Sequence, residues 1–162
     1  MTSSGDVFLN NLKLVKINSD YCDFLRQFDS KVIYNFGQKE LRPFVGVLFE
    51  IESGKFKYFA PLSSPKPKHK NLSNSAMDLL KIDGGKLGVV NINNMIPVSD
   101  KNYFNISFSA PTSNDHDEKY RLLMINQLNW LNKTNNKELL LKKANKIYKL
   151  YKANKLNPQL MK

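Results

Sequence analysis

The chain has 162 residues, 41% of them hydrophobic, and a formal net charge of +11 from 25 Lys and Arg against 14 Asp and Glu. That length suits one domain with a real core, and no apolar run approaches the ~18 residues of a membrane span. A lone cysteine, Cys22, excludes an intramolecular disulfide, and with no signal-peptide layout at the N-terminus the expected location is the cytoplasm. The cation surplus favours a polyanionic partner, nucleic acid ahead of membrane. The Lys-, Asn- and Ile-rich bias of AT-rich genomes produces the same excess.

Residues 1–11 open with small polar residues and read as an N-terminal extension, and 12–162 read as a single domain. Leu12 to Ile17 alternates apolar and polar residues and predicts a first strand. Asn18 or Ser19 can cap a helix over Asp20 to Phe28, with Tyr21, Phe24, Leu25 and Phe28 on one buried face. Tyr21 is either core or turns its hydroxyl toward a site. Asp29 to Pro43 reads as a loop carrying Lys31, Tyr34, Phe36, Lys39 and Arg42. Arg42, held just before a buried strand, is a candidate phosphate clamp through its planar fork of donors.

Two β-rich runs, Phe44 to Ile51 and Phe56 to Phe59, flank Glu52-Ser53-Gly54-Lys55 and predict a hairpin. Pro61, with no N–H, is expected to end the second strand. Ser63, Ser64, Lys66, Lys68, His69 and Lys70 follow, with Pro65 and Pro67 stiffening the backbone between them. Hydroxyls, cations and one imidazole on a rigid loop suit a phosphodiester: hydroxyls bond the non-bridging oxygens while lysines offset charge on phosphorus. A solvated surface loop has the same composition.

Further along, Ser73 to Leu80 predicts a short helix and Asp83-Gly84-Gly85-Lys86 a turn. Leu87 to Ile92 and Met95 to Val98 predict strands, the latter confined by Pro97 to an edge or bulge. Tyr103 to Ser109 alternates weakly, as a final strand would. Asp115 and Glu118 resemble a capping box opening a helix through Leu131, with Tyr120, Leu123, Met124, Gln127, Leu128 and Leu131 as its stripe. A second helix is expected from about Lys137 to Lys155, with Leu140, Ala144, Ile147 and Tyr151 inward. Lys142, Lys146 and Lys149 line another of its faces. From Lys133 to Lys162 nine lysines face one acid, Glu138, so the row lacks an ion-pair pattern and suits RNA phosphates.

There is no Gly-rich phosphate loop, metal-spaced His/Cys cluster or His-Glu-x-x-His helix, so neither a metal nor another cofactor is expected. A nuclease of this composition would cut RNA, whose 2′-hydroxyl supplies the nucleophile that DNA lacks. The competing readings are a non-catalytic RNA-binding module and a protein-interaction adaptor.

The ordered blocks Lys16-Ile-Asn-Ser-Asp-Tyr21, Phe28-Asp29, Phe44-Val-Gly-Val47, Ala60-Pro-Leu-Ser-Ser-Pro-Lys66, Leu87-Gly-Val-Val-Asn91 and Met95-Ile-Pro97 resemble the ToxN/AbiQ family. These are endoribonucleases of type III toxin–antitoxin and phage abortive-infection systems. The resemblance covers roughly residues 12–150, and Ala-Pro-Leu-Ser-Ser-Pro-Lys is its most specific part. It implies an α+β fold, a compact antiparallel β-barrel-like core with surrounding helices and a C-terminal helical pair. It further implies a repeat pseudoknot RNA antitoxin, processed by the toxin and inhibiting it within a closed toxin–RNA assembly, and 2′,3′-cyclic phosphate and 5′-hydroxyl ends on a cellular or phage RNA substrate.

By that resemblance Ser63, Ser64 and Lys66 match the active-site motif, and Arg42 falls where the family is expected to carry lysine. Tyr34 corresponds to the family's loop tyrosine, and His69 to a histidine shortly after Ser-Pro-Lys. Arg42, Ser63, Ser64 and Lys66 are thus the catalytic candidates. Tyr21, Tyr34, Lys39, Lys68, His69, Lys70, Lys142, Lys146 and Lys149 are the RNA-binding candidates. Lys66 is the candidate donor to the leaving oxygen, with Tyr34 or His69 as the group that takes the 2′-hydroxyl proton.

Overall fold

The computed structural model describes residues 11–30, 32, 42–48, 57–109 and 112–153. Its strands are β1 (Leu14–Ile17), β2 (Phe44–Leu48), β3 (Lys57–Ser63), β4 (Leu80–Lys81), β5 (Val89–Val90), β6 (Ile96–Val98) and β7 (Tyr103–Asn105). Its helices are α1 (Ser19–Arg26), α2 (Asp115–Leu131) and α3 (Thr134–Lys152). All pairings are antiparallel, in the order β4-β5-β3-β2-β1-β7, with β6 also on β3. The α+β expectation holds. Barrel closure does not: among the described residues the sheet is open, with β4 and β7 at the ends of that order.

Alternation along the strands feeds two cores. Leu14, Val45, Val47, Ala60 and Leu62 face one cluster, roofed by Met124 and Leu131 of α2 and Leu140, Ala144 and Ile147 of α3. Val15, Ile17, Phe44 and Phe59 face the other, closed by Cys22 of α1 and by Val32. Sidedness of this kind fixes register, because a one-residue slip would exchange the two faces.

The long strand β3 is the hub. One edge pairs with β2, placing Phe44 opposite Pro61 and Val45 opposite Ala60. Its other edge takes β6 at Lys57–Phe59 and β5 at Leu62–Ser63. Pro61 therefore does not end the strand as expected. The proline's missing donor is tolerated because its carbonyl accepts the Asn91 N–H at 2.9 Å, while the next residue, Leu62, donates to the Pro43 carbonyl at 2.9 Å. The Glu52–Lys55 hairpin turn lies outside the described residues.

Of the local expectations, the cap of α1 holds and several others are corrected. Asn18 caps α1, its side chain accepting from the backbone N–H groups of Asp20 and Tyr21. The inward residue of that helix is Cys22, fully buried, whereas Phe24 and Phe28 are 53% and 76% exposed and stack edge-on at 5.3 Å. The cap of α2 is Asn114 rather than Asp115, accepting from the Asp117 N–H at 2.8 Å. Tyr151, expected inside, is 63% exposed.

The helix expected over Ser73 to Leu80 is a run of turns instead. Its carbonyls have another partner: Lys143 Nζ of α3 donates to those of Asn74, Ala76 and Leu79 at 3.2, 2.6 and 3.0 Å. A single ammonium satisfies three carbonyls, of which a helix would have bonded those of Asn74 and Ala76 internally and left that of Leu79 open.

Candidate active site

Ser63 ends β3 opposite Val89 of β5, and its hydroxyl accepts a 2.8 Å hydrogen bond from the Asn91 amide. Asn91 is itself fixed through its backbone bond to Pro61. The Ser63 hydroxyl hydrogen is thereby left to donate outward. Ser64, Pro65 and Lys66 follow as an exposed stretch, then a 3₁₀ turn, Pro67–Asn71.

Within that turn His69 is 3% exposed, and its Nδ1 accepts the Lys66 backbone N–H at 3.2 Å while the His69 backbone N–H donates to the Lys66 carbonyl at 2.9 Å. An accepting Nδ1 requires neutral imidazole with its proton on Nε2. Burial first, then the charges of Lys66 and Lys68, push the His69 pKa below its ordinary value. Lys68 and Lys70 stay exposed on the same turn. Its far end is tied by Lys81 Nζ to the Lys70 and Leu72 carbonyls at 3.1 and 2.9 Å.

Beneath the loop runs a second one, residues 82–88, with positive φ at Asp83, Gly84, Gly85 and Gly88. A Cβ at Gly88 would stand 1.9 Å from the Ser63 carbonyl oxygen, and one at Gly85 3.1 Å from that of His69. Two glycines therefore let one backbone lie directly against the other. Gln127 of α2, 1% exposed, donates to the Leu87 carbonyl at 2.9 Å and ties this support to the helix.

Arg42 enters from the other edge. The Leu62–Pro43 bond continues the β2–β3 register and places Arg42 across from Ser63. Its Nε is buried without a hydrogen-bond partner. Burial draws the Arg42 pKa down while neighbouring Tyr120 of α2 opposes the shift, and a guanidinium remains charged at neutral pH regardless. A buried unpaired donor costs about 1–3 kcal/mol, a cost an anion there would relieve.

Residues 13–161 match the family described as the toxin ToxN of type III toxin–antitoxin systems. The chain belongs to the ToxN family of endoribonuclease toxins. It is 37% identical over 143 residues to the endoribonuclease ToxN of Bacillus thuringiensis subsp. kurstaki, spanning 88% of this chain and 69% of that one. The endoribonuclease ToxN of Pectobacterium atrosepticum is 34% identical over 54% of either chain.

Among solved structures, a type III toxin described as selectively inhibited by a non-coding RNA pseudoknot superposes with a TM-score of 0.70 at 35% identity, covering 86% of this chain and 79% of that one. AbiQ, a lactococcal anti-phage endoribonuclease, gives 0.67 at 25% identity over 87% and 82%. A component of a bacterial antiviral system regulated by a processed non-coding RNA gives 0.74 at 25% identity over 90% of each.

In this ToxN-family fold Ser63, Ser64, Lys66, Lys68, His69 and Lys70 share one loop, and continuing the β2–β3 register brings the Arg42 backbone across from Ser63. Tyr34 and Lys39 lie outside the described residues. Tyr21 is elsewhere: its hydroxyl donates to the Pro97 carbonyl at 2.5 Å, and Pro97 pairs with Tyr58, five residues back along β3 from Ser63. At ~3.3 Å per residue the two ends are about 16 Å apart. Lys142, Lys146 and Lys149 are exposed on α3, whereas intervening Lys143 is spent on the 74–79 carbonyls.

Sequence reasoning passed over Asn91, Gly85, Gly88, Tyr120 and Gln127. Gly88 and Asn91 stood inside the Leu87–Asn91 block, where they read only as strand. Nothing local marked Tyr120 or Gln127 as other than core stripe.

Proposed function

We propose that this chain cleaves RNA without a metal ion, by attack of a 2′-hydroxyl on the adjacent phosphorus, and that a pseudoknot RNA antitoxin restrains it by occupying the same surface. The observation that carries this reading is the buried, unpartnered Arg42 Nε across from the Ser63–Lys66 loop. Ser63 and Ser64 orient the non-bridging oxygens, and Arg42 with Lys66 offsets the charge that builds on phosphorus. The O2′–P bond forms as the P–O5′ bond breaks. Lys66 gives a proton to O5′, leaving 2′,3′-cyclic phosphate and 5′-hydroxyl ends.

Of the two groups considered for taking the 2′-hydroxyl proton, His69 has its Nδ1 lone pair engaged by the Lys66 N–H. That favours a positioning role for His69 and makes Tyr34 the base to test first. Exposed Lys68, Lys70, Lys142, Lys146 and Lys149 provide phosphate contacts outside the reacting centre. The RNA-pseudoknot inhibition named for a structural relative supports the antitoxin reading, and a closed toxin–RNA assembly is the proposed product.

The test is cleavage of the co-purified precursor RNA in EDTA, with analysis of the ends. Wild-type protein is expected to give cyclic-phosphate ends, and Ser64→Ala and Lys66→Ala each to lose cleavage and growth arrest while retaining RNA binding. Full activity in both variants would sink the scheme. Salt-sensitive binding with no scission by wild type would make the chain a binding module.

A further inference from the structure

Asn91 stands where its side chain has two possible uses. It precedes the 3₁₀ turn Ile92–Asn94, a position from which an asparagine commonly accepts the first backbone N–H groups of the turn. Its side chain makes no such cap. It crosses instead to the neighbouring strand and donates through Nδ2 to Ser63 Oγ at 2.8 Å. The register explains the reach. With Ser63 opposite Val89 and Leu62 opposite Val90, Asn91 falls opposite Pro61 and diagonally from Ser63 on the same face of the sheet. The Asn91 backbone is held on both sides, its N–H by the Pro61 carbonyl at 2.9 Å and its carbonyl by the Asn94 N–H at 3.1 Å. The sheet thus aims this donor at a half-buried hydroxyl that begins the exposed Ser64–Lys66 stretch.

We infer that Asn91 is a positioning residue for RNA cleavage: it holds the Ser63 hydroxyl as a hydrogen-bond donor toward the scissile phosphate, a role that rests on the Ser63 function proposed above. Hydrogen-bond polarity is the reason. A hydroxyl has one hydrogen to give, and a phosphodiester oxygen can only accept. A neighbour that accepted from Ser63 would use up that hydrogen, whereas a neighbour that donates to Oγ leaves it for the phosphate. Accepting from the amide also polarises the O–H, which strengthens the bond it donates as charge builds on phosphorus.

The test is a double-mutant cycle on the full chain, cleaving a transcribed copy of the precursor RNA in single turnover with protein in excess. The rate at saturating protein reads the chemical step, and the half-saturating concentration reads binding. Asn91→Asp keeps the shape of the side chain but, as a carboxylate, takes the Ser63 hydrogen for itself. At pH 8 its saturating rate should fall on the order of a hundredfold, the loss for removing one donor to developing charge. Asn91→Ala, which only frees the hydroxyl to turn, should lose less. A packing role predicts the reverse order, since alanine gives up more contact. As pH falls toward about 5 the carboxyl begins to protonate and its O–H can donate as the amide does, so the ratio of the variant's rate to that of wild type should rise. His69 and the reaction's base titrate in both proteins and cancel in that ratio. In a Ser63→Ala background, Asn91→Asp should cost less than about twofold more, and its pH dependence should disappear. Wild-type activity of Asn91→Asp at pH 8, or an equal loss with and without the Ser63 hydroxyl, overturns the inference. Should the aspartate variant not fold, the same cycle with Asn91→Ala decides: a loss that persists undiminished in the Ser63→Ala background overturns it, and one that vanishes there bears it out. Failure of the underlying reading looks different: Ser63→Ala alone would cleave at the wild-type rate, and the role of Asn91 would fall with it.

Discussion

At the scale of single residues, the Ser63–Lys70 loop depends on groups that lie outside it. Gly88 is the sharpest case: φ is +99° and a Cβ would meet the Ser63 carbonyl at 1.9 Å. Gly88→Ala should cost roughly 1–3 kcal/mol from overpacking and about 1–2 more from its left-handed backbone. Gly84→Ala, with φ of +65° but open space around it, should incur only the backbone cost. Equal denaturation midpoints for the two variants would refute the contact. His69 gives a pH prediction. Its native pKa lies below the ordinary imidazole value through burial and the nearby lysines, while the unfolded chain titrates near 6.5. As pH falls below about 6.5 the unfolded state takes up protons that the native state refuses, so stability declines toward the lower native pKa. His69→Asn, whose amide oxygen can accept the Lys66 N–H without titrating, should flatten this decline. Urea midpoints at pH 7.5 and 5.5 that fall equally in both proteins would contradict the assignment.

At the scale of elements, β3 and α3 carry most of the design. One end of β3 delivers Ser63 to the candidate loop, and its start pairs with β6. Helix α3 uses neighbouring lysines differently: Lys143 crosses to three carbonyls of the 74–79 turns, while Lys142 and Lys146 stay in solvent. Burial pulls the Lys143 pKa down, partly opposed by Asp78. Lys143→Met should destabilise the fold by ~1.5–3 kcal/mol, the range for hydrogen bonds to a charged group. Lys146→Ala should change stability by less than about 0.5 kcal/mol and instead reduce the salt slope of RNA binding by roughly 0.7. Thermal melts and a salt titration separate these outcomes, and swapped effects would reject the division.

At the scale of the whole molecule, the sheet separates two cores, so its edges and loop ends are left for chemistry. Local pattern was enough for the strands at Leu14–Ile17, Phe44–Leu48 and Ile96–Val98 and for both long C-terminal helices, because period-2 and period-3.6 burial is written in contiguous residues. The Ser63–Lys70 loop was equally legible, since proline-stiffened hydroxyls and cations form an uncommon local composition. What failed was every feature whose partner is distant in sequence. Pro61 was expected to end a strand that in fact continues, held by Pro43 and Asn91. Ser73–Leu80 was expected to be helical, but an ammonium some 65 residues away satisfies its carbonyls. Phe24, Phe28 and Tyr151 have the spacing of core residues and stand at the surface, because spacing fixes which residues share a helix face but not which face meets the sheet. The sequence by itself thus determined the kinds of groups present, the family and the order of the main elements. Only the tertiary structure decided that the Arg42 backbone lies across from Ser63, that Gly88 and Gly85 let the 82–88 backbone pack against Ser63 and His69 and that the His69 ring is buried, since each depends on backbone approaches between segments that no local pattern encodes.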